Sequence, residues 1–349
     1  MRRERPAFRV GERGDRESGT HLEEHHEGRG HPGRRKVLIH ALFAAVGVGA
    51  VALLIRSVGV PALLAALRSS ARWLPLLFAL EIGRAAFEAL ATWSLSARVR
   101  QRVGLGAMAR IHVIGFAVSG VMPAGRAAAE TVKAAMLSRF VGAPEAAAIG
   151  VGNQSAALLG GAIAALPCAI AALLLTGTSW LTAAVGAFAA VTFVVTAIFQ
   201  IALRRPSLGG ALLHRFTRTE NATAAFSEAM ARMPAISVPA TLAVLGARAL
   251  FTIELAVLLH AASGGASAGR ALLAHGVSLV GGAAGDLVPG QLGASDGAFA
   301  LGARYLGISA ADGVAMAMTL HVLQLGWVAL AAVPLLLRAK PWRDAVTSA

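Results

Sequence analysis

Residues 73–95 read WLPLLFALEIGRAAFEALATWSL, and residues 237–261 read SVPATLAVLGARALFTIELAVLLHA. Each run is long enough, at about 1.5 Å per helical residue, to cross a hydrocarbon core of about 30 Å. Each nevertheless carries charge in its middle: Glu81, Arg84 and Glu88 in the first, Arg248 and Glu254 in the second. A charged side chain at the centre of a spanning helix costs roughly 2.5–3.5 kcal/mol, so these groups need partners or a polar cavity. At about 100° per residue Glu81, Arg84 and Glu88 fall within about 60° of one another, on one stripe. Arg248 and Glu254 are about 120° apart on their helix and are expected to find partners elsewhere.

The rest of the chain agrees with a membrane setting. Of its 349 residues 56% are hydrophobic and 14% charged, with a mean hydropathy of +0.65. A soluble protein carries about 25% charged residues, which excludes an ordinary soluble enzyme. Residues 1–36 hold 17 of the charges with four histidines, His21, His25, His26 and His31, and almost no large apolar side chain. That composition predicts a disordered, solvated tail rather than a metal site. Cys168 is the single cysteine, which excludes a disulfide framework or a cysteine zinc site.

Six segments are predicted to span, at 37–55, 73–95, 146–174, 179–203, 237–261 and 312–337. Two shorter apolar stretches, 107–122 and 271–285, each run into a proline-containing break, Met122-Pro123-Ala124-Gly125 and Val288-Pro289-Gly290-Gln291. They are read as re-entrant hairpins, which survive at membrane depth only where protein or a water-filled cavity covers the broken backbone. The domains expected are a tail at 1–36, a polytopic domain at 37–338 and a short cytoplasmic tail at 339–349. With both termini cytoplasmic in a cell membrane, most lysines and arginines fall inside. Arg56, Arg68, Arg72, Arg270 and Arg304 stay outside, three of them around an amphipathic stretch with Val60, Leu63, Leu64 and Leu67. Residues 204–236 would be a basic cytoplasmic loop.

The two halves, about 73–174 and 237–337, superpose at a nearly constant offset. Arg84-Ala85-Ala86-Phe87 returns as Arg248-Ala249-Leu250-Phe251, Pro123 and Glu130 as Pro289 and Asp296, and Arg139-Phe140-Val141-Gly142 as Arg304-Tyr305-Leu306-Gly307. The predicted topology runs the copies in opposite directions. The fold class expected is therefore an all-α integral membrane protein, six spans plus two re-entrant hairpins in an inverted repeat, a plan common among secondary transporters.

The candidate binding residues are Arg84 and Arg248, paired by the repeat; Glu130 and Asp296, after the two breaks; Lys133; and Pro289, Gly290 and Gly293 at the second break. Glu130 is three residues before Lys133 and four after Arg126, spacings that allow surface ion pairs. Helix starts with glycine-exposed amides can hold an anion such as phosphate. Supporting polar positions are Glu81, Glu88, Asn153, Gln154, Glu254, His321 and Gln324, with His321 and Gln324 free to share a cavity with Asn153 and Gln154. His112, His260 and His275 are read as satisfied polar residues, and Gly281-Gly282 as close helix packing. No P-loop or His-Glu-x-x-His motif occurs, and neither a catalytic residue nor a cofactor or metal is expected.

Pro289-Gly290-Gln291-Leu292-Gly293-Ala294-Ser295-Asp296 resembles the Pro-Gly-Gly-x-Gly-x-x-Glu signature of the transmembrane, flippase-like domain of lysylphosphatidylglycerol synthases and their stand-alone relatives. Ala128-Ala129-Glu130-Thr131-Val132-Lys133 is similar to that family's earlier Gly-Gly-Asp/Glu-x-x-Arg element. The departures are Gln291 for glycine, Asp296 for glutamate and Lys133 for arginine. Asn153-Gln154 stands where the family often has an acid-arginine pair, and His321 is near an expected arginine. The resemblance, over about residues 37–338, implies binding or movement of a lipid with a polar headgroup: a phospholipid, a polyprenyl-linked sugar or a hopanoid. It implies no aminoacyl transfer, which belongs to a separate soluble domain in the full-length synthases. Membrane lipids are then the expected partners, with no nucleic acid. The competing readings are a secondary transporter of a small anion and a non-catalytic membrane partner of a lipid-biosynthesis enzyme.

Overall fold

The structure is a computed structural model that describes residues 52, 55–56, 59–96, 102–122, 124–204 and 220–337. The polar tail, most of the span expected at 37–55, Pro123 and residues 339–349 lie outside the described residues. Among the described residues every regular element is helical: α1 (Val60–Ala71), α2 (Leu74–Leu95), α3 (Leu105–Val121), α4 (Gly125–Val141), α5 (Ala143–Thr176), α6 (Trp180–Arg204), α7 (Glu220–Ala231), α8 (Val238–Ser263), α9 (Ala268–Gly285), a 3-10 turn (Pro289–Gln291), α10 (Ala294–Leu306) and α11 (Ala310–Leu337).

Four of these, α5, α6, α8 and α11, are long and apolar enough to cross a membrane. Their exposed faces are apolar: Ile170, Leu173 and Leu174 of α5, Val191, Val194 and Ile198 of α6, Leu242 and Ile253 of α8, and Val322 and Leu325 of α11. A helix that is apolar on its outward side as well as its inward one is solvated by lipid. The 22-residue α2 has the length of a span and differs by its three internal charges. Residues 220–231, inside the stretch expected as a loop, form α7, which packs on α5. On α1 the expected apolar stripe divides: Leu63 is buried against Val314 and Ala315, while Val60 and Leu64 stay exposed.

Both proline breaks reverse a helix. In the first hairpin, a Cβ at Gly115 of α3 would lie 2.8 Å from Lys133 of α4, and one at Gly125 only 2.1 Å from the Ser119 carbonyl. In the second, Gly281 of α9 faces Ala298 of α10 and Gly302 faces Val277, which fixes the two helices as antiparallel. Gly281 is thus a close-packing glycine, as expected. The four hairpin helices have 17, 17, 18 and 13 residues, or at most about 27 Å each. The two tips touch: the Ala124 N–H donates to the Asp286 carbonyl at 2.8 Å, and Gly290 sits against the Gly120 carbonyl.

Two larger packing centres hold this arrangement, beside the small one around Leu63. One joins Leu77, Leu181, Val185, Leu255, Leu258, Leu273, Phe299, Leu306 and Met316; the other joins Leu95, Met108, Ile111, Leu137, Ile149 and Val244. Among the arginines assigned to the outer face, Arg270 is a structural cap. Its Nε donates to the Leu306 carbonyl at 2.8 Å, with Nη2 on the same oxygen and Nη1 on the Gly265 carbonyl. It thereby satisfies the C-terminal carbonyl end of α10, where a cation is favoured. Hydrogen bonds to a charged group contribute about 1.5–3 kcal/mol, so Arg270→Ala is expected to lower thermal stability, with Arg270→Lys recovering only part because it lacks the fork. Thermal unfolding of the two variants side by side checks this.

Candidate functional site

Where the hairpin tips meet α2 and α8, the bundle forms a half-open cavity of about 400 Å3. Ligand cavities run from about 300 to about 1,000 Å3, so this is a small one. Its walls carry Arg84 and Glu88 from α2, Arg126, Glu130 and Lys133 from α4, Arg248 from α8, and Asp286 after α9. Four cations therefore face three carboxylates. Asn153 of α5, Gln324 of α11, Gln291 and Gly290 complete the polar lining.

The charges divide into bonded and unbonded sets. Arg84 donates from Nη2 to Glu81 Oε2 at 2.7 Å and lies between two aromatic faces, 5.6 Å from the Phe116 ring centre and 5.2 Å from that of Phe251. Such cation–π contacts hold a guanidinium in place at a cavity wall. Lys133 donates to Glu130 at 2.6 Å, Glu130 accepts from Asn153 Nδ2 at 3.1 Å, and Thr92 bonds Asn153 Oδ1 at 3.2 Å. This relay ties α4 to α5 and α2. Glu88 lies within the field of Arg84, Lys133, Arg126 and Arg248. Arg248 makes no hydrogen bond or ion pair among the described residues. It lines the cavity, and Glu88 is the carboxylate whose charge reaches it.

The structure thus brings Arg84, Arg248, Glu88, Glu130, Lys133, Asn153, Gln324 and Gly290 to one cavity. It places others elsewhere. Asp296 is 1% exposed and takes the Gly293 N–H at 2.8 Å and His321 Nε2 at 3.2 Å, capping α10 instead of lining the cavity. His321 turns towards Asp296, and neither it nor Gln154 is a lining residue. Glu81 and Glu254 lie behind Arg84, fully buried. Glu130 and Asp296, equivalent by offset, also differ in register. Glu130 is in the second turn of α4, while Asp296 is in the first turn of α10. His112 departs from the satisfied-histidine expectation, since both its ring nitrogens are buried without a partner among the described residues.

Arg126, Asp286, Gln291, Phe116 and Phe251 are not among the candidate binding residues expected from the sequence. For Asp286 the signal was present: a carboxylate two residues before the Val288-Pro289 break. Gln291 has φ +57, a region that favours glycine and costs a side-chain-bearing residue roughly 1 kcal/mol. This accounts physically for a glycine in that place in the signature the segment resembles.

Long helices with apolar exteriors around an internal, charge-lined cavity define an integral membrane protein of the helical class. Residues 38–332 match the lysylphosphatidylglycerol synthase TM region, and the chain belongs to that family. No curated protein and no solved structure matches it.

Proposed function

We propose that this protein is a flippase-like carrier that takes the anionic headgroup of a membrane lipid into the central cavity while the acyl or isoprenoid chains stay in the bilayer. The observation that carries this reading is Arg248: a buried-side cation in a membrane helix with no protein partner, opposite an Arg84 held between two rings. An unpaired guanidinium at that depth is costly unless an anion joins it, and its fork suits a phosphate. A cavity of about 400 Å3 suits a headgroup better than a whole lipid. Membership of the lysylphosphatidylglycerol synthase TM family supports a lipid over a soluble solute.

In this reading the two hairpins are re-entrant, enter from opposite faces and meet at their tips near the midplane, as halves of an inverted repeat. The reciprocal packing of α2 and α8 supports that relation. Gly83, next to Arg84, receives Leu250, and Gly246, two residues before Arg248, receives Phe87. The same reading assigns both termini to the cytoplasmic side of the cell membrane, supported by the excess of lysine and arginine in the loops on that side. Lys133 and Glu130 set the charge at one mouth, and Asp296, Gly293 and His321 hold the second hairpin in register.

Purification in mild detergent followed by native mass spectrometry is expected to find a discrete anionic lipid on the wild type and little or none on Arg248→Gln. Bulk lipid alone, unchanged in the variant, would overturn the reading. Uptake of a small anion into lipid vesicles without lipid movement would replace it with a solute carrier.

A further inference from the structure

Behind Arg84, on the side away from the cavity, two carboxyl groups are served by one cation. Glu81 is 4% exposed and Glu254 is wholly buried. The two donors that Glu81 receives, Arg84 Nη2 at 2.7 Å and Trp327 Nε1 at 3.2 Å, both go to Oε2. Among the described residues no donor other than a shared proton with Glu81 is placed to bond either oxygen of Glu254. Its carboxyl lies beside that of Glu81 and within the field of Arg84.

We propose that Glu81 and Glu254 share one proton, forming a protonation site between α2, α8 and α11, and that Arg84 links the occupancy of this site to the anion in the cavity. Two carboxylates at close approach in a water-excluded place cannot both be ionised. One guanidinium neutralises one of them, so the second is neutral only with a proton. Other charged or titratable groups on the packed helices are committed or remote from the pair. His275 of α9 is bonded to Thr252 at 2.8 Å, Cys168 of α5 is bonded to the Ala164 carbonyl, and Arg68 of α1 is exposed. A metal cation does not fit. Hard cations need about six oxygen ligands, whereas the flanking side chains are Leu77, Phe251, Leu255 and Leu258, and the helix carbonyls are engaged.

Arg84 is the link because it belongs to both places. It ion-pairs with Glu81 on one side and lines the cavity on the other. An anion drawn to its cavity side takes part of the positive charge that balances the one remaining carboxylate, and so favours a second proton on the pair. Anion binding is therefore accompanied by proton uptake. This second step rests on the headgroup reading above; the proton site itself does not.

Infrared difference spectroscopy of the full chain tests the site without any ligand. A carbonyl stretch of a protonated carboxylic acid is expected to persist at neutral pH. It should vanish in Glu254→Gln and remain in Glu130→Gln, whose carboxylate is paired with Lys133. Absence of the band in the wild type, or its survival in a folded Glu254→Gln, overturns the proposal. Calorimetric titration with a water-soluble short-chain phosphatidylglycerol, repeated in buffers of different ionisation enthalpy, tests the link. The heat should depend on the buffer in the wild type and not in Glu254→Gln. Binding heat that is the same in every buffer sinks the link. Failure to bind at all counts against the headgroup reading and the link together, while the infrared result still decides the proton site.

Discussion

Replacing Arg84 with alanine is expected to unfold the bundle far more readily, whereas replacing Arg248 is expected to leave its stability near or above that of the wild type. The two arginines are equivalent by sequence offset, yet their surroundings differ. Arg84 neutralises Glu81, whose side chain is 5% exposed, and is the cation whose charge acts on the buried Glu254. Removing one partner of a buried pair leaves an uncompensated charge and costs about 3–5 kcal/mol. Arg248 has no ion pair to lose, and deleting a desolvated, partnerless cation removes a cost. Thermal unfolding in one detergent should separate the variants by several degrees, since 1 kcal/mol corresponds to about 2–4 °C at about 150–250 residues and to less in a longer chain. Bound lipid should be lost from both. If Arg248→Ala melts as low as Arg84→Ala, then Arg248 is a structural partner and the headgroup reading loses its main support.

This contrast shows which part of the site the sequence carries. Apolar length marks the spans: the segments expected at 146–174, 179–203, 237–261 and 312–337 are the helices Ala143–Thr176, Trp180–Arg204, Val238–Ser263 and Ala310–Leu337. Helical period places Glu81, Arg84 and Glu88 on one face of α2, and the sequence offset pairs Arg84 with Arg248, both of which line the cavity. Periodicity fixes a face of one helix but not the rotation of that helix against its neighbours. For that reason it did not separate Glu254, turned to Glu81, from Glu88, turned to the cavity. Asp296 was legible in another way. An acid in the first turn of a helix after glycine is the position that takes back an N-terminal backbone N–H, which is what it does with Gly293. The contact between the hairpin tips depends on where two distant turns dock, and no local pattern in either turn encodes it.

Those tips carry the second large effect. Gly125→Ala is expected to destabilise the protein severely, because its Cβ would lie 2.1 Å from the carbonyl oxygen of Ser119 and 2.9 Å from the carbonyl carbon. Both are backbone atoms, so no side chain can rotate away. Overpacking costs typically about 1–3 kcal/mol where side chains can shift, and more where they cannot. The only relief is to open α3 from α4 at the turn. Opening would also break the bond from the Ala124 N–H to the Asp286 carbonyl and move Gly290 off the Gly120 carbonyl, so the two hairpins should part together. Gly161→Ala is the matched control. It lies inside α5 with nothing within 4 Å of the added carbon, and there alanine should stabilise by up to about 1 kcal/mol through helix propensity. The expected result is a large fall in melting temperature with loss of bound lipid for Gly125→Ala, and a small rise with lipid retained for Gly161→Ala. A Gly125→Ala protein that melts like the wild type would mean that the tip can widen freely, and that the hairpin contact does not shape the cavity floor.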